Sequence, residues 1–512
     1  TSGFEDLFWI GDQSRRDIFD LSGENPQPSY SMIAGIEERI ILKNSKIHIE
    51  SKPQKTQVQS ILKQFKEKGV SSIAICLIHG WRFTEHEQMI ANWCQEEGFQ
   101  DVFCSHNIST LPNFLYRSYL TVIDAGLSPL ISNIQKHFIH NLNDLDVDEY
   151  LFMKSDAGLC KLKNFRGFNS LLSGPCGGVT ALSKFFKDYS PLIGFDMGGT
   201  SSDVTRFDKE VEISLEHTVN GLPIYTPQVN IETVASGGGS ILSIEDGLLK
   251  VGPESSGSFP GPLCYGFDGR LSLTDANLVL GRLQAELIEP CFGYDRKNQL
   301  NISLSRTGFN HLLALHPELG FNSVEELAEA FLLIANQQMS QPILEVSAAK
   351  GYELQNHHLV CFGGAAGQHA CLIAKDLGIE KVLIHSQAGL LSAAGLLAAC
   401  PEDFEYHYIG QTVESVQIPQ DILKSDKVSV LCRYANTNTI IKIKLHPLEN
   451  LKSRFEEAFY NQFGFNHLDV KIIIEHAVIH YSKNESSPEL SRTRTETKSK
   501  HTQKRCQSIS SR

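Results

Sequence analysis

The chain has 512 residues, 41 % of them hydrophobic, and its 46 Lys and Arg against 59 Asp and Glu give a formal net charge of −13. At roughly 150 residues per domain this predicts about three globular domains with large buried cores. The acidic balance speaks against a nucleic-acid-binding surface as the main business, and the longest apolar runs, such as 73–78 and 389–400, fall short of the roughly 18 residues a membrane span needs.

Residues 1–150 mix a short β-type run, Ser72–Ile78, with helical patterns at Val58–Lys68 and Glu85–Gly98, the rhythm of an α/β layer. From 151 to about 404 the chain is punctuated by glycine clusters at Ser173–Gly178, Asp196–Thr200, Ser236–Ser240 and Gly363–Gly367. Glycine there is expected to supply positive φ and close backbone approach for ligand loops. Residues 405–483 alternate β-type runs (Val428–Cys432, Thr439–Leu445, Val470–Ile479) around a helical stretch, Leu448–Phe463, which predicts a small α+β domain. The last thirty residues hold eight Lys or Arg, three acids and seven Ser with almost nothing apolar, so 484–512 is expected to be a disordered basic tail. Twelve scattered cysteines without CxxC pairs or zinc-type His spacing predict reduced thiols, no disulfide framework and no zinc site. No signal-peptide pattern opens the sequence, and a cytosolic location is expected.

The most informative segment is Leu192-Ile193-Gly194-Phe195-Asp196-Met197-Gly198-Gly199-Thr200-Ser201-Ser202-Asp203. An apolar strand ending in Asp, two glycines and a hydroxyl, and a second Asp entering another strand describe a hairpin suited to phosphate. The amides of Gly198, Gly199, Thr200 and Ser201 would face phosphate oxygens. Asp196 and Asp203 would hold Mg²⁺, usually through waters, or Asp196 would orient a nucleophile. The plain alternative is an ordinary glycine turn. A second constellation, His358 to His369, runs a buried strand into the glycine turn Gly363-Gly364-Ala365-Ala366-Gly367 ahead of a helical stretch. Such a turn admits a nucleoside or phosphate, with tight helix–strand packing as the alternative. It lacks the GxGxxG dinucleotide spacing.

Together with these two segments, several ordered motifs resemble the hydantoinase/oxoprolinase family. They are Thr1–Leu7 with Ile10–Gln13, His86-Glu87-Gln88, Ser173-Gly174-Pro175 with Gly177-Gly178-Val179, Val251–Ser255 with Pro260-Gly261-Pro262, and Thr274–Arg282. The resemblance covers nearly all of 1–483. Within the family, Pro227–Ala235 and Ile384–Ser392 look most like the ATP-dependent 5-oxoprolinases.

The resemblance implies an α/β protein with actin-like (ribonuclease H-like) ATPase domains. Residues 1–150 would be the remainder of an N-terminal family domain, 151–404 the ATPase domain and 405–483 a partial C-terminal α+β domain. The implied reaction is hydrolysis of 5-oxo-L-proline to L-glutamate with ATP and Mg²⁺, through phosphorylation of the lactam carbonyl. The alternatives are an ATP-dependent hydantoinase, an acetone carboxylase-type subunit, or a non-catalytic member that binds nucleotide or a partner. Asp196, Thr200 and Asp203 would be catalytic, with Asp196 and Asp203 on the metal. Gly198, Gly199, Thr200, Ser201, Gly363, Gly364 and Gly367 would hold nucleotide. A hydantoinase B-type half, fused or separate, and a homo-oligomer are the implied assembly. Family members carry an earlier Asp-Gly-Gly-Thr loop not seen here, so the chain is expected to be a piece of a longer protein.

Other residues have two readings. Thr274, Asp275 and Asn277 are either substrate contacts or a helix cap, and Ser240 is placed with them on the substrate side. The Gly-Pro-rich loop Gly252–Tyr265, with Ser236–Ser240 before it, is either a substrate-side lid or structural. His369 either meets ligand or is a satisfied half-buried histidine. Cys176 and Cys264 would be nucleophiles only with a base nearby.

Overall fold

The computed structural model describes residues 1–11, 30–43, 46–142, 150–219, 221–399, 402–423, 427–437, 439–446, 450–467 and 469–482. The tail expected at 484–512 lies outside these.

The strand Leu192–Met197 is buried along its length except at Asp196. A strand covered on both faces reads as a continuous apolar run instead of an alternating one. It pairs antiparallel with Ser202–Asp208 and parallel with His358–Phe362. The strands Ile231–Val234 and Val382–Ile384 extend the sheet beyond these two neighbours. Parallel neighbours cannot be joined by a tight turn, so the chain runs through further hairpins and helices before returning at His358.

Side chains alternate between the two faces. Ile193, Phe195 and Met197 pack with Leu359, Cys361 and the fully buried Phe331, Ala335, Met339 and Ile343 of the helix Val324–Val346. Leu192, Val360 and Phe362 pack on the other face with Ala181 and Leu182 of the helix Ser173–Phe185 and with Leu391 of the helix Leu391–Ala398. These last two helices touch backbone to backbone: a methyl group on Gly395 would lie 2.0 Å from the Gly177 carbonyl oxygen, and one on Gly177 would lie 2.4 Å from the Ser392 carbonyl oxygen. Glycine at both positions allows the approach that sets where Ser392 stands.

Before this unit, the parallel strands Ser72–Ile75 and Asp101–Cys104 pack against the helices Lys55–Glu67, Glu85–Glu96 and Phe114–Asn141. Buried Glu87 is fully engaged there, accepting from the amides of Leu77 and His106, the Ser105 hydroxyl and His106 Nδ1. After the central unit, four antiparallel strands in the order Glu402–Thr412, Ile472–Ser482, Val428–Tyr434, Ile441–Lys444 cover Phe455 and Phe459 of the helix Leu451–Phe463. The first of these strands begins at Glu402, so the boundary drawn at 405 falls inside it.

Candidate active site

The hairpin Leu192–Asp208 turns through Gly198–Ser201, closed by the Gly198 amide donating to the Ser201 carbonyl (3.1 Å). Its register places Asp196 directly opposite Asp203. Opposed residues of an antiparallel pair share one face with Cβ atoms about 5 Å apart. Asp196 lies on the face covered by the helices Ser173–Phe185 and Leu391–Ala398, and Ser392 Oγ donates to its Oδ2 (3.1 Å). Asp203 Oδ1 accepts from Thr233 Oγ1 (2.6 Å), one strand further out. Burial pushes the Asp196 carboxyl up to about 6; the Ser392 hydrogen bond opposes this and the charge of Asp203 adds to it. Burial also raises Asp203, against the hydrogen bond from Thr233.

The turn is held from behind by a second glycine run. The Gly238 and Gly239 amides donate to the carbonyls of Gly198 (3.0 Å) and Gly199 (2.7 Å), and the Ala365 amide donates to Met197 (3.0 Å). Gly237 lies so close that a methyl group on it would stand 2.7 Å from backbone atoms of Gly199, Thr200 and Ser201. The outward side is open: methyl groups on Gly199, Gly364 or Gly367 would meet no protein atom within 4 Å. Thr200 is exposed on the same turn and Ser201 half-buried. Of the glycines in the four clusters only Gly363 has a positive φ, +85°, and a methyl group there would lie 2.3 Å from Asp196 Oδ1. The general expectation of positive φ is thus corrected: close backbone packing and an open ligand side, more than left-handed backbone, call for glycine here.

The residues placed on the substrate side have other work. Ser240 is buried, and its Oγ accepts from the Gly237 amide (2.9 Å). Thr274 donates through both its amide and its Oγ1 to the Gly238 carbonyl (2.8 Å each). Buried Asp275 accepts from the amides of Leu263, Cys264 and Ser272 and from the hydroxyls of Ser272 and Ser305. With its lone pairs so occupied it caps the helix Leu273–Val279 and pins the turn at Leu263–Tyr265, the capping arrangement of the two readings. Asn277 Nδ2 donates to the Leu273 carbonyl (3.1 Å) and faces His369 Nε2 (3.1 Å), while His369 Nδ1 meets Asn336 Oδ1 (2.8 Å). Burial lowers His369 to about 3, so it is a neutral, satisfied core histidine. These groups form the shelf under the glycine loops. The first part of the expected lid, 252–255, completes the strand Leu248–Ser255. Burial pushes the thiol of Cys176 up to about 12 and that of Cys264 well above its ordinary value, so neither is poised as a nucleophile. Ser392 and Thr233 received no role from the sequence, and the Gly237–Gly239 run, expected to be a ligand loop, braces the hairpin turn instead; the only signal for Ser392 was its place at the end of the Ile384–Ser392 motif.

The donor set fits Mg²⁺ and a phosphate chain. Asp196, Asp203 and the neighbouring hydroxyls are hard oxygen ligands of the kind Mg²⁺ takes. A cation between these two carboxylates, both raised by burial, would restore their ionised forms.

The family described as "Hydantoinase/oxoprolinase" matches residues 117–403, and "Hydantoinase/oxoprolinase N-terminal region" matches residues 1–98. The chain is 34% identical to a 5-oxoprolinase of Dictyostelium discoideum over 93% of its own length and 43% of that protein. It is 36% identical to a 5-oxoprolinase of Saccharomyces cerevisiae over 93% of its length and 41% of that protein. The chain therefore spans less than half the length of these curated relatives. Its fold is that of the ATP-dependent caprolactamase of Pseudomonas jessenii, with a TM-score of 0.75 at 24% identity over 96% of this chain and 76% of that one. Acetone carboxylase in its nucleotide-free form gives a TM-score of 0.66 at 19% identity, over 89% and 70% of the two chains. Among the described residues no helix is long and apolar enough to cross a membrane. With more than half of its residues matched by the family, the chain belongs to the hydantoinase/oxoprolinase family.

Proposed function

We propose that this chain is the ATP-using part of a 5-oxoprolinase, an actin-like ATPase that couples ATP hydrolysis to opening of 5-oxo-L-proline. The observation that carries the reading is the Asp196–Asp203 pair beside two outward-open glycine loops, in a chain 34–36% identical to curated 5-oxoprolinases. A lactam is a poor electrophile with a poor leaving group. Transfer of the γ-phosphoryl group to its carbonyl oxygen activates the carbon, after which water adds to that carbon, the C–N bond breaks, the nitrogen takes a proton and phosphate leaves. The balance is one lactam, one ATP and two waters to one L-glutamate, one ADP and one phosphate.

In this reading the amides of Gly198, Gly199, Thr200 and Ser201 bind phosphate oxygens, and Gly363, Gly364 and Gly367 admit the nucleoside. Asp196 and Asp203 hold Mg²⁺, which when bound neutralises charge developing on the transferred phosphoryl group. Ser392 and Thr233 fix the two carboxylates. We take 1–150, 151–404 and 405–483 as the N-terminal, ATPase and C-terminal portions of a cytosolic enzyme. Its remaining half would be of hydantoinase B type and the whole a homo-oligomer.

The test is ADP release with and without 5-oxo-L-proline, with glutamate detection, on this chain alone and on one extended to the relatives' full length. Lactam-dependent ADP with equimolar glutamate supports the proposal. ADP release that answers only to a hydantoin, or to acetone with bicarbonate, replaces the substrate, and ATP binding without turnover in the extended protein overturns the enzyme reading.

A further inference from the structure

The helix Leu273–Val279 bonds to the supports of both glycine loops, each at a different point along its length. At its start, Thr274 donates through its amide and its Oγ1 to the Gly238 carbonyl, in the clamp behind the Gly198–Ser201 turn. Further along, Asn277 Nδ2 meets His369 Nε2. Just past its end, Arg282 Nη1 donates to the carbonyl of Gln368 (3.4 Å), the residue that follows the Gly363–Gly367 turn.

The backbone fixes where Arg282 stands. Gly281 has a φ of +70°, its amide donates to the Leu278 carbonyl (3.1 Å), and the Arg282 amide donates to the Asn277 carbonyl (2.9 Å). This pair of hydrogen bonds closes a helix around a glycine in the left-handed region. The chain thereby folds back over the helix end and carries Arg282 to the second loop.

The guanidinium is little used by the protein itself. Arg282 is half-buried, and among the described residues it has only the long contact to Gln368 and no carboxylate in ion-pair reach. Burial holds it below the ordinary arginine value, and the charge of Glu329 opposes this from further off. A guanidinium has five N–H donors in a flat fork, so most of its bonding capacity is left for solvent or a ligand.

The open side of the second turn lies beside it. Gly364 and Gly367 are exposed, and methyl groups on them would meet no protein atom within 4 Å. The opposite end of the same turn abuts the carboxylates, since a methyl group on Gly363 would collide with Asp196 Oδ1. The turn therefore runs from Asp196 at one end to Gln368 and Arg282 at the other.

We propose that Arg282 is a nucleoside-binding residue of the ATP site, its planar guanidinium laid against the nucleobase at the end of the turn remote from Asp196. This contact rests on the ATP reading above and extends it to the nucleoside. A flat, weakly hydrated cation suits the face of a heteroaromatic ring, and a lysine ammonium does not replace it.

The experiment is calorimetric titration of the full chain with ATP and, separately, with inorganic tripolyphosphate, both with Mg²⁺. It is run on the unaltered protein and on Arg282→Ala, Arg282→Lys and Gly199→Val. ATP affinity should fall about tenfold in Arg282→Ala, the worth of one cation–π contact, and nearly as far in Arg282→Lys. Tripolyphosphate has no nucleoside, so it should bind both arginine variants as it binds the unaltered protein, which also shows that they fold. Gly199→Val should weaken both ligands. Unchanged ATP affinity in Arg282→Ala would leave the arginine a helix cap and overturn the proposal. Full rescue by lysine, or an equal loss of tripolyphosphate, would also overturn it, because either assigns the contact to charge on the phosphates. If the unaltered protein does not bind tripolyphosphate measurably, unchanged thermal melts check the folding and the ATP ratios decide alone. Absence of ATP binding by the unaltered protein would sink the ATP reading and this contact with it, whereas unaltered affinity in the arginine variants sinks the contact alone.

Discussion

Asp196 and Asp203 face one another across the register of a single hairpin, each held by a hydroxyl from a different element: Ser392 from a helix 196 residues further along the chain, and Thr233 from the adjoining strand. Two half-buried carboxylates on one face resist ionising together. The protein keeps this strained pair at the mouth of its glycine turn, where a divalent cation would relieve it.

Asp196→Asn should therefore act in opposite directions on stability and activity. The folded-state value of about 6 lies above the ordinary 3.8, so the stabilisation is full below about pH 4 and is lost as pH rises through 6. Without nucleotide or divalent cation, the variant should be more stable than the parent above pH 6 by about 1 to 2 kcal/mol, allowing for partial solvent screening, and equal near pH 4. Its ATP turnover should fall at least about 100-fold. Thermal melts from pH 4 to 8 check the first point, and a stability difference that ignores pH would refute it.

Gly199→Val should weaken ATP binding by about tenfold or more while changing stability by less than about 0.5 kcal/mol. The reason is that its Cα faces open space and no protein atom. Gly237→Ala is the contrasting variant, since its methyl group would collide with the turn's backbone; it should lose stability and ATP affinity together. Undiminished nucleotide affinity in Gly199→Val would mean that the open side is not the ligand side.

Ser392→Ala removes the hydrogen bond that, among the described residues, lowers Asp196. The acid limb of the turnover profile should then move to higher pH by about one unit. A uniform loss of rate with the profile unmoved would show that Ser392 only packs the helix.

For Asp275→Ala the expected change is structural. Five donors lose their buried acceptor, which should cost about 2 to 4 kcal/mol in chemical denaturation. The KM for lactam in the folded fraction should be unaltered. A raised KM with stability intact would return Asp275 to the substrate side.

The hairpin was legible in the sequence because every cue for it is local. An apolar run buried on both faces, two glycines with a hydroxyl, and a second Asp seven residues after the first can only be a strand, a turn and a strand. The same holds for the strand His358–Phe362 and the glycine turn behind it. The strand Glu402–Thr412 was missed although Phe404, Tyr406 and Tyr408 alternate with polar residues, because it lies beside a domain boundary drawn on composition.

By itself, then, the sequence determined the glycine hairpin, the second glycine turn and the family to which the chain belongs, since all of these reside in short contiguous motifs. Only the tertiary structure decided which polar residues are left open at the glycine loops and which are bound to the protein's own groups. Thr274, Asp275 and Asn277 look like site residues in a line of text, yet their hydrogen bonds close on the protein's own backbone and on His369. Ser392 looks like the tail of an apolar motif until the Gly177–Gly395 contact brings its helix onto Asp196. A side chain's role depends on which unpaired partner lies within about 3 Å, and partners nearly two hundred residues apart are fixed by packing alone.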